Sequence, residues 1–516
     1  MKNRSWRRRT GSVRHDREAA MEYQFADVEP KEVLHYFEEI ASIPHGSGNT
    51  KQLSDHIAAF AKEHGLNCIQ DRLNDLIIFK DASEGYEGCE PVILQGHMDM
   101  VAEKNSDAAI DMAKEPIRLI LDPDGDTLHA DGTTLGADDG IAIAMMMAVL
   151  ADDTLAHPPL ECIMTVDEET GLYGAAGIDC SRIRGKKLLN LDSENEGVFT
   201  AGCAGGGQME CIFSGERKER RGTPVKIKVE GLLGGHSGDM INAGRANANQ
   251  LLGRILIKLS KKAPFRIISV KGGNKDNAIP REAEAELLFS EDVLHKDVED
   301  TIRGLEEAVR QEYAVTDPGI RFSYMFEEVR KVAAFRRRSS QPVLQFLGVF
   351  PYGVQECMPE DRTAPQTSLN LGILETVEGV SAGTGSVPDE VHATFLVRSN
   401  VNSQKDMLMD RLQTLTEALG GTVKVITAYP AWEYRRDSAF RDRLLDIYRK
   451  QTGRDPKVEV IHGGLECGLL SGKIEGLDAV SIGPDTQDIH TPKEKISLRS
   501  AAHLYDFVKE VLKESK

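Results

Sequence analysis

Residues 92–99 read Val-Ile-Leu-Gln-Gly-His-Met-Asp, a short apolar run that ends in a histidine and an acid. Such a run, bounded by polar and glycine residues, has the pattern of a strand covered on both faces. The same texture returns at 76–79, 162–166, 188–191 and 479–483. Helical periods lie between and around these runs: Val33, Leu34, Phe37 and Ile40; Leu53, Ile57, Phe60 and Ala61; the apolar stretch 141–150; and the closing stretch 498–512. Alternating helices and strands of this kind predict an α/β domain with a mixed, largely parallel sheet flanked by helices.

After the glycines 202, 205, 206 and 207 the pattern changes. Residues 225–229 alternate apolar side chains with lysine, 246–259 has a helical period, and 267–270, 283–289, 367–374 and 391–397 are strand-like. This predicts an inserted α+β unit with a half-exposed antiparallel sheet. The expected division is a basic leader over 1–21, the first part of the α/β domain over 22–207, the insertion over 208–401, and a return to the first domain over 402–516. Gly205–Gly207 are expected to be hinges, and an exposed edge of the inserted sheet to pair two subunits in a homodimer.

The 516 residues leave room for about three domains, or two with one interrupted. A 40% hydrophobic and 28% charged composition is that of a globular chain. The longest uncharged apolar run, 141–150, is too short to span a bilayer, so no membrane association is expected. A net charge of −19 repels polyphosphate, which argues against nucleic acid as a partner. The eight cysteines are scattered with no CxxC pair, which suits a reducing cytoplasm. Within 1–21, seven basic and two acidic side chains give +5 without a following apolar region; this is no secretory signal, and either a basic leader or a start placed too early accounts for it.

Chemistry collects where the strands end, the edge at which open α/β sheets hold ligands. His97 can offer a ring nitrogen to a metal while Asp99 holds the other ring N–H. Residues 132–140, GTTLGADDG, bring Asp138 and Asp139 to the start of the apolar helix, where helix capping alone also explains an acid. The run 162–166 delivers Asp167, Glu168 and Glu169; 188–191 delivers Asp192; 479–483 is followed by Asp485, Asp488 and His490. Parallel strands would gather these groups on one rim, and two divalent cations about 3.5–4 Å apart would relieve their repulsion. Histidine and carboxylate without thiolate pairs favour catalytic zinc, cobalt or manganese. His462 and Glu466 are set aside, because a glycine-rich turn with an acidic first helical turn explains them structurally.

The segments GHMDMV, DGTTLGADDGIA, VDEETGLYGA, LNLDSE, GGHSG, GGNKDNAIPREA and IGPDTQDIHTP, in this order, resemble the zinc metallopeptidase family that includes carboxypeptidase G and aminoacylase, and within it the aminoacyl-histidine dipeptidases or bacterial carnosinases. The resemblance covers the chain from about Pro30 to its end. It implies a metallopeptidase catalytic domain interrupted by an inserted lid, and two Zn2+ ions for which Co2+ or Mn2+ can substitute. Asp138 would bridge the ions, with His97 and Asp192 at one and Glu169 and His490 at the other. Asp139 would be no ligand but would follow Asp138 through a cis peptide. Asp99 would orient His97 and Glu168 would be the general base. His236 of GGHSG, Asn277 of NAIP and Arg398 of FLVRSN would bind the substrate carboxylate and scissile carbonyl; each also has a plain structural explanation, as a turn residue, a turn cap and a surface strand arginine.

The implied activity is hydrolysis of dipeptides, Xaa-His above all, by a water that the metal pair activates and Glu168 deprotonates. An N-acyl amino acid deacylase of the same fold and a non-catalytic metal-binding remnant are the alternatives. Glu168 speaks against the remnant, which has no need of an unligated base.

Overall fold

The computed structural model describes residues 23–359, 361–379, 381–382, 385–386 and 388–516; the expected leader over 1–21 lies outside them. Eight strands form the first sheet, in the spatial order Asn67–Gln70, Leu76–Lys80, Leu160–Thr165, Val92–His97, Lys187–Asn190, Asp478–Ser481, Val198–Cys203 and Lys457–Ile461. The four from Leu160–Thr165 to Asp478–Ser481 run parallel. Leu76–Lys80 joins them antiparallel. The mixed, largely parallel sheet expected from the apolar runs is therefore present.

Burial alternates along each strand. Val92 and Leu94 pack with the helices Lys31–Ala41, Ala137–Ala151 and Leu498–Lys513, whereas Ile93 faces Leu470 and Ile474 near Glu466–Lys473. Residues 141–150 are all buried, which is why that helix is apolar on every side. Among the described residues no helix is long and apolar enough to cross a membrane. All eight cysteines are free thiols.

A second sheet of ten strands carries the inserted unit, with four helices over the shared core: Ala248–Ser260, His295–Glu312, Arg337–Val349 and Asn402–Ala418. Its pairings are antiparallel, from Arg217–Glu230 on Ala283–Phe289 to Asp389–Ser399 on Gly205–Gly215. Two expectations change here. The strand Thr422–Tyr429 pairs with Gly205–Gly215, and Leu408 and Leu412 are buried in the inserted core, so we place the end of the insertion at Tyr429 rather than 401. The helical pattern after Asn402 was legible, but the sheet it packs against was not.

Gly205–Gly207 are also no slack joint. They lie inside a strand paired on both sides, opposite Ser399, Arg398 and Val397 and, on the other edge, Ala428 and Tyr429. A Cβ on any of them would collide with Ala431, Tyr429 or Met409. Their role is close packing.

Only Ala204 separates the strand Val198–Cys203 of the first sheet from Gly205–Gly215 of the second. The returning chain passes alongside: Cys203 N donates to Trp432 O at 3.0 Å and Trp432 N to Cys203 O at 3.2 Å.

Candidate metal and active site

The parallel strands end on one rim. Val92–His97 places His97 there, the turn after Leu160–Thr165 places Glu168 and Glu169, and Asp192 follows Lys187–Asn190 by two residues. Asp138 opens the helix Ala137–Ala151 with extended backbone angles, and the Asp138–Asp139 peptide is cis. His490 comes from the tip of a hairpin with arms Thr486–Gln487 and Lys495–Ser497, of which the second docks on the strand Thr127–Ala130. Asp167, Asp488 and His490 all have left-handed φ, of 54°, 53° and 59°, a strain that non-glycine residues concentrate at functional sites.

The Asp138 carboxylate faces two imidazoles. Oδ1 lies 3.2 Å from His97 Nε2, and Oδ2 lies 3.2 Å from His490 Nε2. Asp192 Oδ1 stands 3.7 Å from the same His97 nitrogen, and Glu169 Oε1 stands 2.9 Å from His490 Nε2. The five groups expected to hold two cations are thus brought together, as two sets sharing Asp138. Asp139 is close as well: with His97 and Asp192 it forms a second cluster that could hold an ion. Its Oδ2 already accepts the His97 backbone N–H at 3.1 Å.

Asp99 does more than face His97. The nearest partner of His97 Nδ1 is the Asp99 carbonyl at 2.9 Å, with the carboxylate at 3.5 Å. The carboxylate instead accepts the Glu168 N–H at 3.0 Å, the Ser47 hydroxyl at 2.8 Å and the Glu169 N–H at 3.4 Å. It fixes the acidic turn and the histidine together.

The electrostatics are those of a site short of positive charge. Burial, partly offset by His97 and reinforced by Asp192, pushes the Glu168 carboxyl well above its usual range. Asp139 rises likewise, through burial and then Asp192, and burial raises Asp192 to about 7. Burial would raise Asp138 too, but hydrogen bonds to His490 and His97 hold it low. His490 is raised to about 11 by Asp138 and Glu169. For His97, burial works downward, and Asp138 and Asp99 more than offset it. Protonated imidazoles thus sit among carboxylates where divalent cations would relieve the same charge. Glu169 Oε1 is buried, and apart from His490 Nε2 at 2.9 Å it has no hydrogen-bonding partner among the described residues. An oxygen in that state, in a nitrogen and oxygen donor set without thiolate, fits a zinc-class divalent ion.

The family model described as Peptidase family M20/M25/M40 matches residues 93–514. The chain belongs to this family. It is a peptide-bond hydrolase of M20 type. It is 34% identical over 497 residues to the cytosol non-specific dipeptidase of Escherichia coli K12, covering 95% of this chain and 99% of that one. The crystal structure of aminoacylhistidine dipeptidase from Vibrio alginolyticus superposes with a TM-score of 0.82 at 32% identity, covering 95% and 98% of the two chains. Aminopeptidase PepT from Bacillus cereus, at 16% identity and a TM-score of 0.56 over 95% and 99%, shares the fold.

In this M20 peptidase the three expected residues of the inserted unit also meet. Gly235–His236 pairs with Ala278–Ile279, and Ser237 N donates to the Asn277 carbonyl at 2.7 Å, so the GGHSG and NAIP segments are adjacent. His236 Nδ1 stands 3.0 Å from Asp239 Oδ2, and its Nε2 faces Arg398 Nη2 at 3.5 Å. Arg398 is 6% exposed and its Nε has no partner, so it is no surface strand arginine. Burial raises the Glu194 carboxyl, Asp138 adds to this, His490 works against it, and Asp239 and Glu169 add smaller contributions.

The residues set aside make contacts away from the five rim groups. His462 lies 2.7 Å from Ser368 Oγ and 3.1 Å from Asn400 Oδ1, and burial followed by Arg398 lowers it to about 3. Glu466 is fully buried behind the rim, where Gln95 and Thr165 both donate to Oε2 and Oε1 has no partner among the described residues. Sequence reasoning missed Glu494, which is 2% exposed and accepts hydrogen bonds from the loop leading into Asp138. No local sequence signal marks it.

Proposed function

We propose that the chain is a dinuclear zinc dipeptidase acting on Xaa-His, carnosine-like dipeptides. The observation that carries this reading is the Asp138 carboxylate, with one oxygen toward His97 and the other toward His490. Asp138 would bridge the two ions, His97 and Asp192 would complete one site, and Glu169 and His490 the other. When bound, the ions supply Lewis-acid activation of water and of the scissile carbonyl.

The Glu168 side chain has no hydrogen-bonded partner among the described residues, and burial raises its carboxyl, which leaves it available as the proton acceptor. It takes the proton of the attacking water and passes it to the leaving nitrogen. Arg398, buried with a free Nε, would bind the substrate carboxylate, as a charge-assisted pair in a desolvated pocket should. Asp239 Oδ2 holds the His236 ring through Nδ1, and the ring would lie at the scissile carbonyl to stabilise the developing oxyanion. Asn277 would support the same carbonyl from the turn that leads into Ala278–Ile279. A buried carboxylate-binding arginine would suit a dipeptide, whose C-terminus lies one residue beyond the scissile bond.

The reading gains support from relatives named as a non-specific dipeptidase and an aminoacylhistidine dipeptidase. The test is hydrolysis by metal-depleted and zinc-reconstituted protein of β-alanyl-histidine, other Xaa-His dipeptides, dipeptides without histidine and N-acetyl amino acids. Zinc-dependent cleavage that favours Xaa-His supports the proposal; preference for N-acyl substrates makes it a deacylase, and bound zinc without any hydrolysis makes it a binding protein. We also propose a cytoplasmic setting and a homodimer. The strand Thr422–Tyr429 ends its sheet and exposes Val425 and Ile426. Light scattering at the monomer mass would refute the dimer.

A further inference from the structure

We propose that Glu494 is a positioning residue that holds the two halves of the metal rim, Asp138 and His490, in register. This rests on the assignment of both as metal ligands. The Glu494 carboxylate accepts four consecutive backbone N–H groups from a loop more than 350 residues away in the chain: Leu135 at 2.8 Å and Gly136 at 3.1 Å on Oε2, Ala137 at 2.8 Å and Asp138 at 3.3 Å on Oε1.

These are N–H groups at the start of the helix Ala137–Ala151, which lack partners within the helix and favour a negative charge. None of the hydrogen-bond capacity is spent elsewhere, so the carboxylate and the loop behave as one unit. The other end of Glu494 is equally fixed. It directly precedes the strand Lys495–Ser497 and follows His490 by four residues, within one hairpin. Lys495 pairs with His129 on the docking strand, which anchors that hairpin to the body of the domain.

One side chain therefore sets the distance between an aspartate carried on a helix and a histidine carried on a hairpin, which stand 3.2 Å apart at His490 Nε2 and Asp138 Oδ2. A metal pair sharing Asp138 tolerates little error in that distance, because each ion needs its ligands within a few tenths of an ångström. Ordinary helix capping would need only one acceptor near one or two N–H groups; four bonds converging from the His490 hairpin do more than cap.

The test uses the full chain with Glu494→Gln and Glu494→Asp. Glutamine keeps the shape but turns an NH2 toward two N–H groups; aspartate keeps the charge but shortens the arm. For Glu494→Gln, chelator competition with Zn2+ should show binding of at least one ion weakened about 10–100-fold. At saturating zinc the KM for a dipeptide should stay within about two-fold of wild type while kcat falls, and added zinc should restore part of the activity. In metal-free protein, amide exchange over residues 133–140 should speed up relative to the rest of the domain. Glu494→Asp should lie between Glu494→Gln and wild type in each readout. Wild-type zinc affinity together with wild-type exchange over 133–140 in either folded variant would overturn the proposal, as would a drop in global stability with zinc affinity unchanged. If Glu494→Gln does not fold, Glu494→Asp carries the same readouts. Should the wild-type chain bind no zinc, the dinuclear assignment fails, and the proposal that rests on it falls as well; the exchange measurement then decides only whether the clamp itself exists.

Discussion

Replacing Gly136 with alanine tests how tightly the Asp138 loop is built. Gly136 has φ 73°, the left-handed region that costs a residue with a Cβ about 1–2 kcal/mol. An alanine Cβ there would stand 2.8 Å from Met100 Sδ and 3.3 Å from His45 Nε2, where carbon and its neighbours normally keep about 3.5–4.0 Å. Met100 is 2% exposed and cannot swing into solvent, so the overlap adds about 1–3 kcal/mol. The expected total is about 2–5 kcal/mol. Gly125 supplies the control: its φ is 71° and nothing lies within 4 Å of its Cβ position, so Gly125→Ala should cost only the strain, about 1–2 kcal/mol. The extra cost at 136 should also reach the site, since Gly136 N donates to Glu494 and its carbonyl accepts Gly140 N at 3.1 Å. We expect Gly136→Ala to lower kcat about 10–100-fold, as small misplacements of reacting groups do, while Gly125→Ala leaves kcat unchanged. Urea unfolding, zinc content and dipeptide turnover measured on both variants decide the matter. Equal stability losses in the two variants, with zinc content and kcat unchanged in Gly136→Ala, would refute this account of the loop.

Glu168→Ala should lower kcat at least about 10²-fold while zinc content by elemental analysis stays near wild type; loss of zinc would make Glu168 a ligand instead. Asp138→Ala should lose both ions after gel filtration, and retained stoichiometric zinc would remove Asp138 from the bridging role. Arg398→Ala should raise KM for dipeptides by about ten-fold or more with zinc binding intact, and an unchanged KM would place the substrate carboxylate elsewhere. Asp75 gives a pH dependence: burial and then Asp71 raise its carboxyl from 3.8 to about 7. The folded state binds the extra proton, so its contribution is complete below about pH 4 and is lost as pH rises toward about 7, with a slope of at most about 1.4 kcal/mol per pH unit. Asp75→Asn should flatten the urea midpoint over that window; the same slope in the variant would assign it to other groups.

Much of the rim was legible because parallel strands carry their last residues to one edge. Short apolar runs ending in His97, Glu168 and Asp192 therefore implied a shared site before any distance was known. The lid residues were legible only as motifs, since nothing local to Arg398 shows that it is buried. Glu494 was not legible, because its partners are backbone groups of a loop that only the folded chain brings near, and a glutamate in a polar hairpin looks like any surface acid. Glycine was ambiguous for a related reason: Gly205–Gly207 read equally as freedom of the backbone or as closeness of neighbours, and Tyr429 and Met409, which decide between the two, are distant in sequence. The strand Thr422–Tyr429 hid because it is largely exposed and lacks the apolar run that marks the central strands.

The pairing of Cys203 with Trp432 has a consequence for the architecture as a whole. Entry and exit of the inserted unit are neighbours, so the chain crosses between the two sheets at one place, with Ser368 and Asn400 adding hydrogen bonds to His462 across the boundary. Swapping everything between those two residues for another sheet with adjacent ends, or for a short turn, would leave both termini of the catalytic sheet already in place.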